Sequence, residues 1–214
     1  MDSGLEQLTA ILFKMGAAAE RAISTAVQGY LEGRDVGDDV YDLSGLLSAL
    51  TVTAEDRALE LIVKYQPVAS DLRIIFSYMK IAYDMERYGR YAWDISFTHR
   101  KLANCKECVQ SDELMESMTE KTLNMVETSV RALNDNDANM AKTLATTEKE
   151  VDGLYASYLN LLSKAPPKTS CLVSNLLVAR YLERIADHAT YIGESIIYIA
   201  TGQRLSLKNT QNQL

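Results

Sequence analysis

The chain has 214 residues, enough for one large domain or two small ones, and 47% of them are hydrophobic, a usual share for a folded globular protein. Its formal net charge of −7 argues against a nucleic-acid ligand, because phosphate backbones are bound by basic surfaces. With only 10 glycines and 3 prolines, the composition favours long helices over strands joined by turns.

The N-terminus and the cysteines predict a cytoplasmic protein. The first residues, MDSGLEQLTAILFKMG, lack the layout of a signal peptide, and no apolar run reaches the roughly 18 residues of a membrane helix. Three cysteines do not suggest a disulfide framework. Cys105 and Cys108 form a C-x-x-C pair downstream of His99, but no second pair follows, so we expect incidental thiols in a loop and not a zinc site.

Helical periodicity and chain breakers predict six helices. The first ends at Gly33, a typical C-cap, and the second stops before Pro67, because the residue preceding a proline avoids the helical conformation. The turn cluster NDND follows the fourth helix, and APPK separates the fifth from the sixth. The predicted ranges are 5–33, 38–65, 69–104, 112–134, 137–164 and, from Thr169 or Ser170, to about 200.

The two halves of the chain resemble each other. DMERYGRYAWDI, starting at Asp84, aligns with YLERIADHATYI, starting at Tyr181, so that Glu86 falls on Glu183. Chance similarity between two amphipathic helices is the alternative to a duplicated unit.

The repeat, together with the short connections, predicts the architecture. We expect an all-α protein of two tandem antiparallel three-helix bundles. The first bundle would span residues 1–104 and the second 112–202, with a polar C-terminal tail at 203–214. Its last part, SLKNTQNQL from Ser206, is expected to be frayed.

Acidic residues interrupt the last two helices near their apolar faces. Glu148 and Asp152 lie one turn apart in the inward-facing sector of the fifth helix, and Glu183 and Asp187 repeat that spacing on the sixth. Burying an ionised carboxylate costs several kcal/mol unless it is paired or binds a metal. Antiparallel packing would bring the four together, where they would either hold protons at raised pKa values or bind a cation. Their oxygen ligands would suit Mg²⁺, Ca²⁺, Mn²⁺ or iron.

Other interpretations of these acids remain open. Arg180 precedes Glu183 by three residues and Arg184 precedes Asp187 by three, so ordinary salt bridges along one helix would also neutralise them. His188 lies beside the acids and is a candidate ligand, although a histidine satisfied elsewhere is the commoner case. A carboxylate-bridged di-iron oxidase would need Glu-x-x-His pairs, and neither histidine of the chain follows a glutamate by three residues.

The chain resembles the PhoU family of phosphate-signalling regulators over nearly its whole length. LFKMGAAAERAI is similar to the family's first helix, ALELIVKYQPVASDLRIIFSYMKIAYDMERYGRYAWDI to its most recognisable segment, and ARYLERIADHATYIGE to the second family motif. The resemblance implies two three-helix bundles and iron or zinc on the acidic motifs. It also implies partnership with the nucleotide-binding (ATPase) subunit of a phosphate ABC transporter and, where present, with a sensor histidine kinase.

The first half departs from this pattern. Arg90 replaces the second acid of its ladder, and Ser44 and Ser48 stand at the second-helix positions that correspond to the acids of the fifth helix. Arg90 also offers Glu86 a counter-ion one turn away. We therefore predict one metal site, in the second half, and none in the first. Its predicted ligands are Glu148, Asp152, Glu183 and Asp187.

The sequence shows no nucleophile–base arrangement, glycine-rich phosphate loop or Walker motif. We therefore expect a regulator that acts through protein contacts and not an enzyme. A helical metalloprotein or plain scaffold with no transporter role is the alternative, and a homodimer is left open.

Overall fold

The computed structural model describes residues 1–103, 113–163 and 170–208, and all regular structure within these residues is helical. The elements are α1 (Asp2–Glu32), α2 (Gly37–Tyr65), α3 (Ala69–Thr98), a π-helical turn (His99–Ala103), α4 (Glu113–Asp135), α5 (Ala138–Ser163) and α6 (Ser170–Thr201). The predicted all-α class with two tandem three-helix bundles is confirmed, with α1–α3 in the first bundle and α4–α6 in the second.

Two expectations drawn from the sequence concern the cysteine pair and membrane-spanning helices. Cys105 and Cys108, on which the expectation of incidental thiols rests, lie outside the described residues. Among the helices of the described ranges, none combines the length and the apolar character needed to cross a membrane.

Local chemistry places the helix ends. Gly33 adopts the left-handed conformation with φ 68° and donates its N–H to the carbonyl of Tyr30 at 3.3 Å, as predicted for a C-cap. α2 ends at Tyr65, two residues before Pro67, also as predicted. Asp137 caps α5, because its Oδ1 accepts the backbone N–H groups two and three residues ahead at 2.8 and 3.0 Å.

α3 and α6 form the centre of the molecule. Each of them packs on the two other helices of its own bundle, and α3 and α6 also pack on each other. α1 and α4 make a further contact between the bundles. The core is continuous through both bundles. Its largest fully buried side chains are Tyr88, Tyr158, Leu8, Leu12, Met15, Ile23, Leu47, Leu61, Ile75, Ile81, Met85 and Ile95.

Two contacts between α3 and α6 are made by residues at equivalent positions of the internal repeat. Asp84 Oδ1 lies 2.8 Å from His188 Nδ1, and the Tyr91 and Tyr181 rings stack with their centroids 6.2 Å apart. In the sequence repeat, Asp84 aligns with Tyr181 and Tyr91 aligns with His188. The two contacts are therefore equivalents under the internal pseudo-twofold, one polar and one aromatic.

The buried Asp84–His188 pair predicts a large cost for removing one partner. Burial raises the pKa of Asp84, and His188 opposes that rise. His188→Phe leaves this carboxyl group buried without its partner, so we expect the free energy of unfolding to fall by about 2–4 kcal/mol, measured by urea denaturation.

The double variant Asp84→Leu with His188→Phe provides the control. It replaces the polar pair with apolar side chains, as the equivalent tyrosine contact does, and should recover most of the lost stability. A double variant as unstable as His188→Phe alone would show that shape, and not the unpaired carboxyl group, dominates this contact.

Candidate metal centre

Close packing of α5 on α6 builds the candidate site. A Cβ atom added at Gly193 of α6 would lie 2.9 Å from Leu144 Cδ1 and 3.2 Å from the carbonyl oxygen of Ala141, both on α5. A larger residue at this position would require the Leu144 side chain to move and the α5 backbone to give way by a few tenths of an ångström. The missing side chain therefore lets the acids of the two helices reach each other.

Three of the four predicted ligands converge. Carboxylate oxygens of Glu148, Asp152 and Asp187 all lie within 4.8 Å of one another. Glu148 and Asp187 are buried, with 5% and 2% of their surface exposed, whereas Asp152 is exposed. The group, called here the acidic group, is thus enclosed by the bundle on one side and open to solvent at Asp152.

The fourth predicted ligand, Glu183, is directed elsewhere. Its Oε2 lies 2.6 Å from Arg180 Nη1 and 3.7 Å from Arg184 Nε. Arg184 Nη1 also lies 3.0 Å from Asp187 Oδ2. The salt bridges that the three-residue spacing predicted are therefore present, and they coexist with the acidic group. That this group holds metal stays a prediction.

A side chain that sequence reasoning missed, Lys208, reaches into the acidic group. Its Nζ lies 2.8 Å from Glu148 Oε1 and also contacts Asp187 Oδ1. The expectation of fraying from Ser206 onward was wrong for residues 206–208, which lie along α6, while residues 209–214 lie outside the described residues. The alternation of Leu205 and Leu207 after the helix was the one local signal of a segment that packs.

Burial and the proximity of other acids shift the pKa values of the carboxyl groups at this site. Burial, and then the charge of Asp187, raises the pKa of Glu183 to about 7. Burial and the neighbouring Glu148 likewise raise the pKa of Asp152. Burial alone would lower the pKa of Lys208, but its ion pairs with Asp187 and Glu148 outweigh that effect and raise it. The site is therefore arranged to favour a cation.

The equivalent position in the first bundle is neutralised internally. Glu86 Oε1 lies 2.9 Å from Arg90 Nη2 and accepts a hydrogen bond from Ser48 Oγ at 3.3 Å. The predicted Arg90 counter-ion is present, and Ser48, at a position that corresponds to an acid of the fifth helix, contacts the same carboxylate. His188, the other candidate ligand, is directed to Asp84 at the bundle interface.

The raised pKa of Glu183 predicts a pH-dependent gain from removing its charge. A carboxyl group with a folded pKa of about 7 and an ordinary value of 4.5 destabilises the fold once ionised; the penalty builds between these pH values and is full above 7. In metal-free protein, Glu183→Gln should therefore raise the free energy of unfolding by about 1–2 kcal/mol at pH 7–8, and by progressively less down to pH 5.

Urea denaturation in a chelator across this pH range measures the difference between the two proteins. Glu86→Gln is the matched control and should bring no gain, because it removes a carboxylate already held by Arg90 and Ser48. A Glu183→Gln difference that does not change with pH would contradict the assigned origin of the effect.

Taken together, the described residues form a duplicated helical-bundle protein, and in its second repeat three converging carboxylates surround the Lys208 ammonium. The family model for the PhoU domain matches residues 12–97 and 115–196, one match in each bundle. The chain belongs to the PhoU family.

The chain is similar to curated relatives and to solved structures over nearly its whole length. The chain is 32% identical over 215 residues to a phosphate-specific transport system accessory protein PhoU homolog of Clostridium acetobutylicum, with 97% of each chain covered. It is 29% identical to the homolog of Zymomonas mobilis, covering 95% of this chain and 88% of that one.

Among solved structures, PhoU from Pseudomonas aeruginosa has a TM-score of 0.88 at 25% identity, covering 94% of this chain and 99% of that one. The phosphate transport system regulatory protein PhoU from Streptococcus pneumoniae has a TM-score of 0.85 at 21% identity and 95% and 98% coverage, a likeness of fold.

Proposed function

We propose that this protein regulates phosphate uptake and phosphate-responsive signalling through protein contacts, and that it is not an enzyme. The observation that carries the proposal is the full-length match to relatives named as phosphate-specific transport system accessory proteins, with a family-model match in each bundle. The proposed partner is the ATPase subunit of a phosphate ABC transporter, and a sensor histidine kinase is the second. The proposed compartment is the cytoplasm, where that subunit operates.

We also propose that the acidic group binds a metal cation. Three carboxylates within 4.8 Å of one another suit one divalent ion, because metal–oxygen distances of about 2.0–2.6 Å place ligands on opposite sides of an ion about that far apart. The Lys208 ammonium between two of these carboxylates stands in for such a cation. Glu148, Asp152 and Asp187 would hold the ion directly, and Glu183, buried beside them, would add negative charge.

The chemistry of the donors bears on the kind of metal. The three carboxylates offer only oxygen ligands, which favour Mg²⁺, Mn²⁺, Ca²⁺ or iron over softer ions, with zinc less favoured. When bound, the cation would supply positive charge that offsets carboxylate repulsion and ties α5 to α6. Arg180 and Arg184 hold the outer oxygens of Glu183 and Asp187 and would orient the acids around the ion.

The partner proposal predicts direct binding. Purified protein should bind the isolated ATPase subunit of the phosphate transporter from the same organism saturably, measured by biolayer interferometry with and without nucleotide. An ATPase subunit from an unrelated importer is the control and should not bind. No saturable binding in either nucleotide state would remove the transporter role and favour a helical scaffold or metalloprotein.

The metal proposal predicts which carboxylates matter. Glu148→Gln combined with Asp187→Asn removes the charge of two buried ligands, and the purified double variant should lose the metal that elemental analysis detects in the wild type. Glu86→Gln, the matched change in the first bundle, should leave the metal content unchanged. Metal retained by the double variant, or lost from Glu86→Gln, would show that the acidic group is not the site.

A further inference from the structure

The residues after α6 form a defined return segment, residues 202–208. Gly202, with φ 73°, ends the helix in the left-handed conformation, and the chain then reverses along α6. The Leu207 N–H donates to Glu194 Oε1 at 2.8 Å, and the Leu207 side chain is buried. The Arg204 guanidinium lies 4.6 Å from the centroid of the Tyr198 ring. These contacts fix where the next residue, Lys208, can reach.

Lys208 bridges two of the three proposed metal ligands. Its Nζ is 2.8 Å from Glu148 Oε1 and contacts Asp187 Oδ1, while its own side chain is 34% exposed and that of Asp187 only 3%. The ammonium thus approaches the buried acids from the solvent side. It supplies a positive charge to carboxylates that would otherwise repel one another across the α5–α6 contact.

A metal ion and this ammonium would need the same two carboxylates, those of Glu148 and Asp187. The acidic group is small, with its oxygens within 4.8 Å of one another, so two cations inside it would repel strongly. Asp187 Oδ1, which accepts a hydrogen bond from Lys208 Nζ, also has less capacity to bind a metal while that bond is present. Occupancy by one cation therefore opposes occupancy by the other.

We infer that Lys208 is a built-in counter-ion that competes with metal for Glu148 and Asp187, so that metal binding displaces the Lys208 side chain from the acidic group. The inference rests on the proposed metal site. The apparent metal affinity equals the intrinsic affinity multiplied by the fraction of metal-free molecules in which Lys208 does not occupy the acidic group. The position of the Lys208 side chain would therefore indicate whether metal is bound.

Titration of the full chain with Mn²⁺, followed by the electron paramagnetic resonance signal of free Mn²⁺, tests the competition. Lys208→Gln should bind Mn²⁺ about tenfold more tightly than the wild type, the gain expected if Lys208 occupies the group in nine of ten metal-free molecules. Lys208→Arg keeps the positive charge and should stay near the wild type. Lys149→Gln removes an exposed charge next to Glu148 and should change the affinity by less than about twofold.

A second readout follows the Lys208 amine itself. Brief acetylation with peptide mass spectrometry should find Lys208 protected relative to Lys149 in metal-free protein, and Mn²⁺ should raise its reactivity toward that of Lys149. Equal Mn²⁺ affinity of wild type and Lys208→Gln, with Lys208 still protected when metal is bound, would overturn the competition and leave the metal site standing. Failure of every variant to bind Mn²⁺ would overturn the metal site and the competition together.

Discussion

Repulsion among carboxylates between α5 and α6 is the constraint that organises the second bundle. Glu148 and Asp187 are almost fully buried, and Asp152 and Glu183 lie one turn from them on the same helices. Arg180, Arg184 and Lys208 place positive charge around four acids. These side chains can be buried together only when they are paired with cations or protonated, because isolated buried charges cost several kcal/mol.

The first bundle meets the same geometric problem with different chemistry. Glu86 occupies the position equivalent to Glu183, and Arg90 and Ser48 satisfy it within the bundle. Gly89 allows α2 to approach α3 there, since a Cβ atom would lie 2.7 Å from Leu47 Cδ1, as Gly193 does for α5 and α6. Duplication therefore supplies two similar grooves: in the first, Arg90 pairs with the acid, and in the second, three carboxylates converge around Lys208.

Features that depend on short-range chemistry could be predicted from the sequence. The C-cap at Gly33, the end of α2 before Pro67 and the Arg90–Glu86 ion pair each involve residues within a few positions of one another. The convergence of acids from α5 and α6 also followed, because helical periodicity and a short connection place those faces together. The repeat supplied the two-bundle architecture.

Other parts of the site depend on contacts between distant residues and on side-chain direction. Lys208 is far from Glu148 in sequence, and the alternation of Leu205 and Leu207 after Gly202 indicates a segment that packs without indicating which acids it meets. Glu183 has the right spacing for a ligand, yet its rotamer carries the carboxylate to Arg180. The Asp84–His188 contact emerges only once the two bundles are placed against each other.

Crystallography of metal-loaded protein tests most directly the proposal that the acidic group of the second bundle alone holds an added cation. Anomalous difference maps recorded at the absorption edge of the loaded metal locate the ion without reference to any mutant. The proposed site predicts a peak within coordination distance of Glu148, Asp152 and Asp187, with Lys208 turned away. A peak beside Glu86, or loaded crystals in which these acids keep only their arginine and lysine partners, would contradict it.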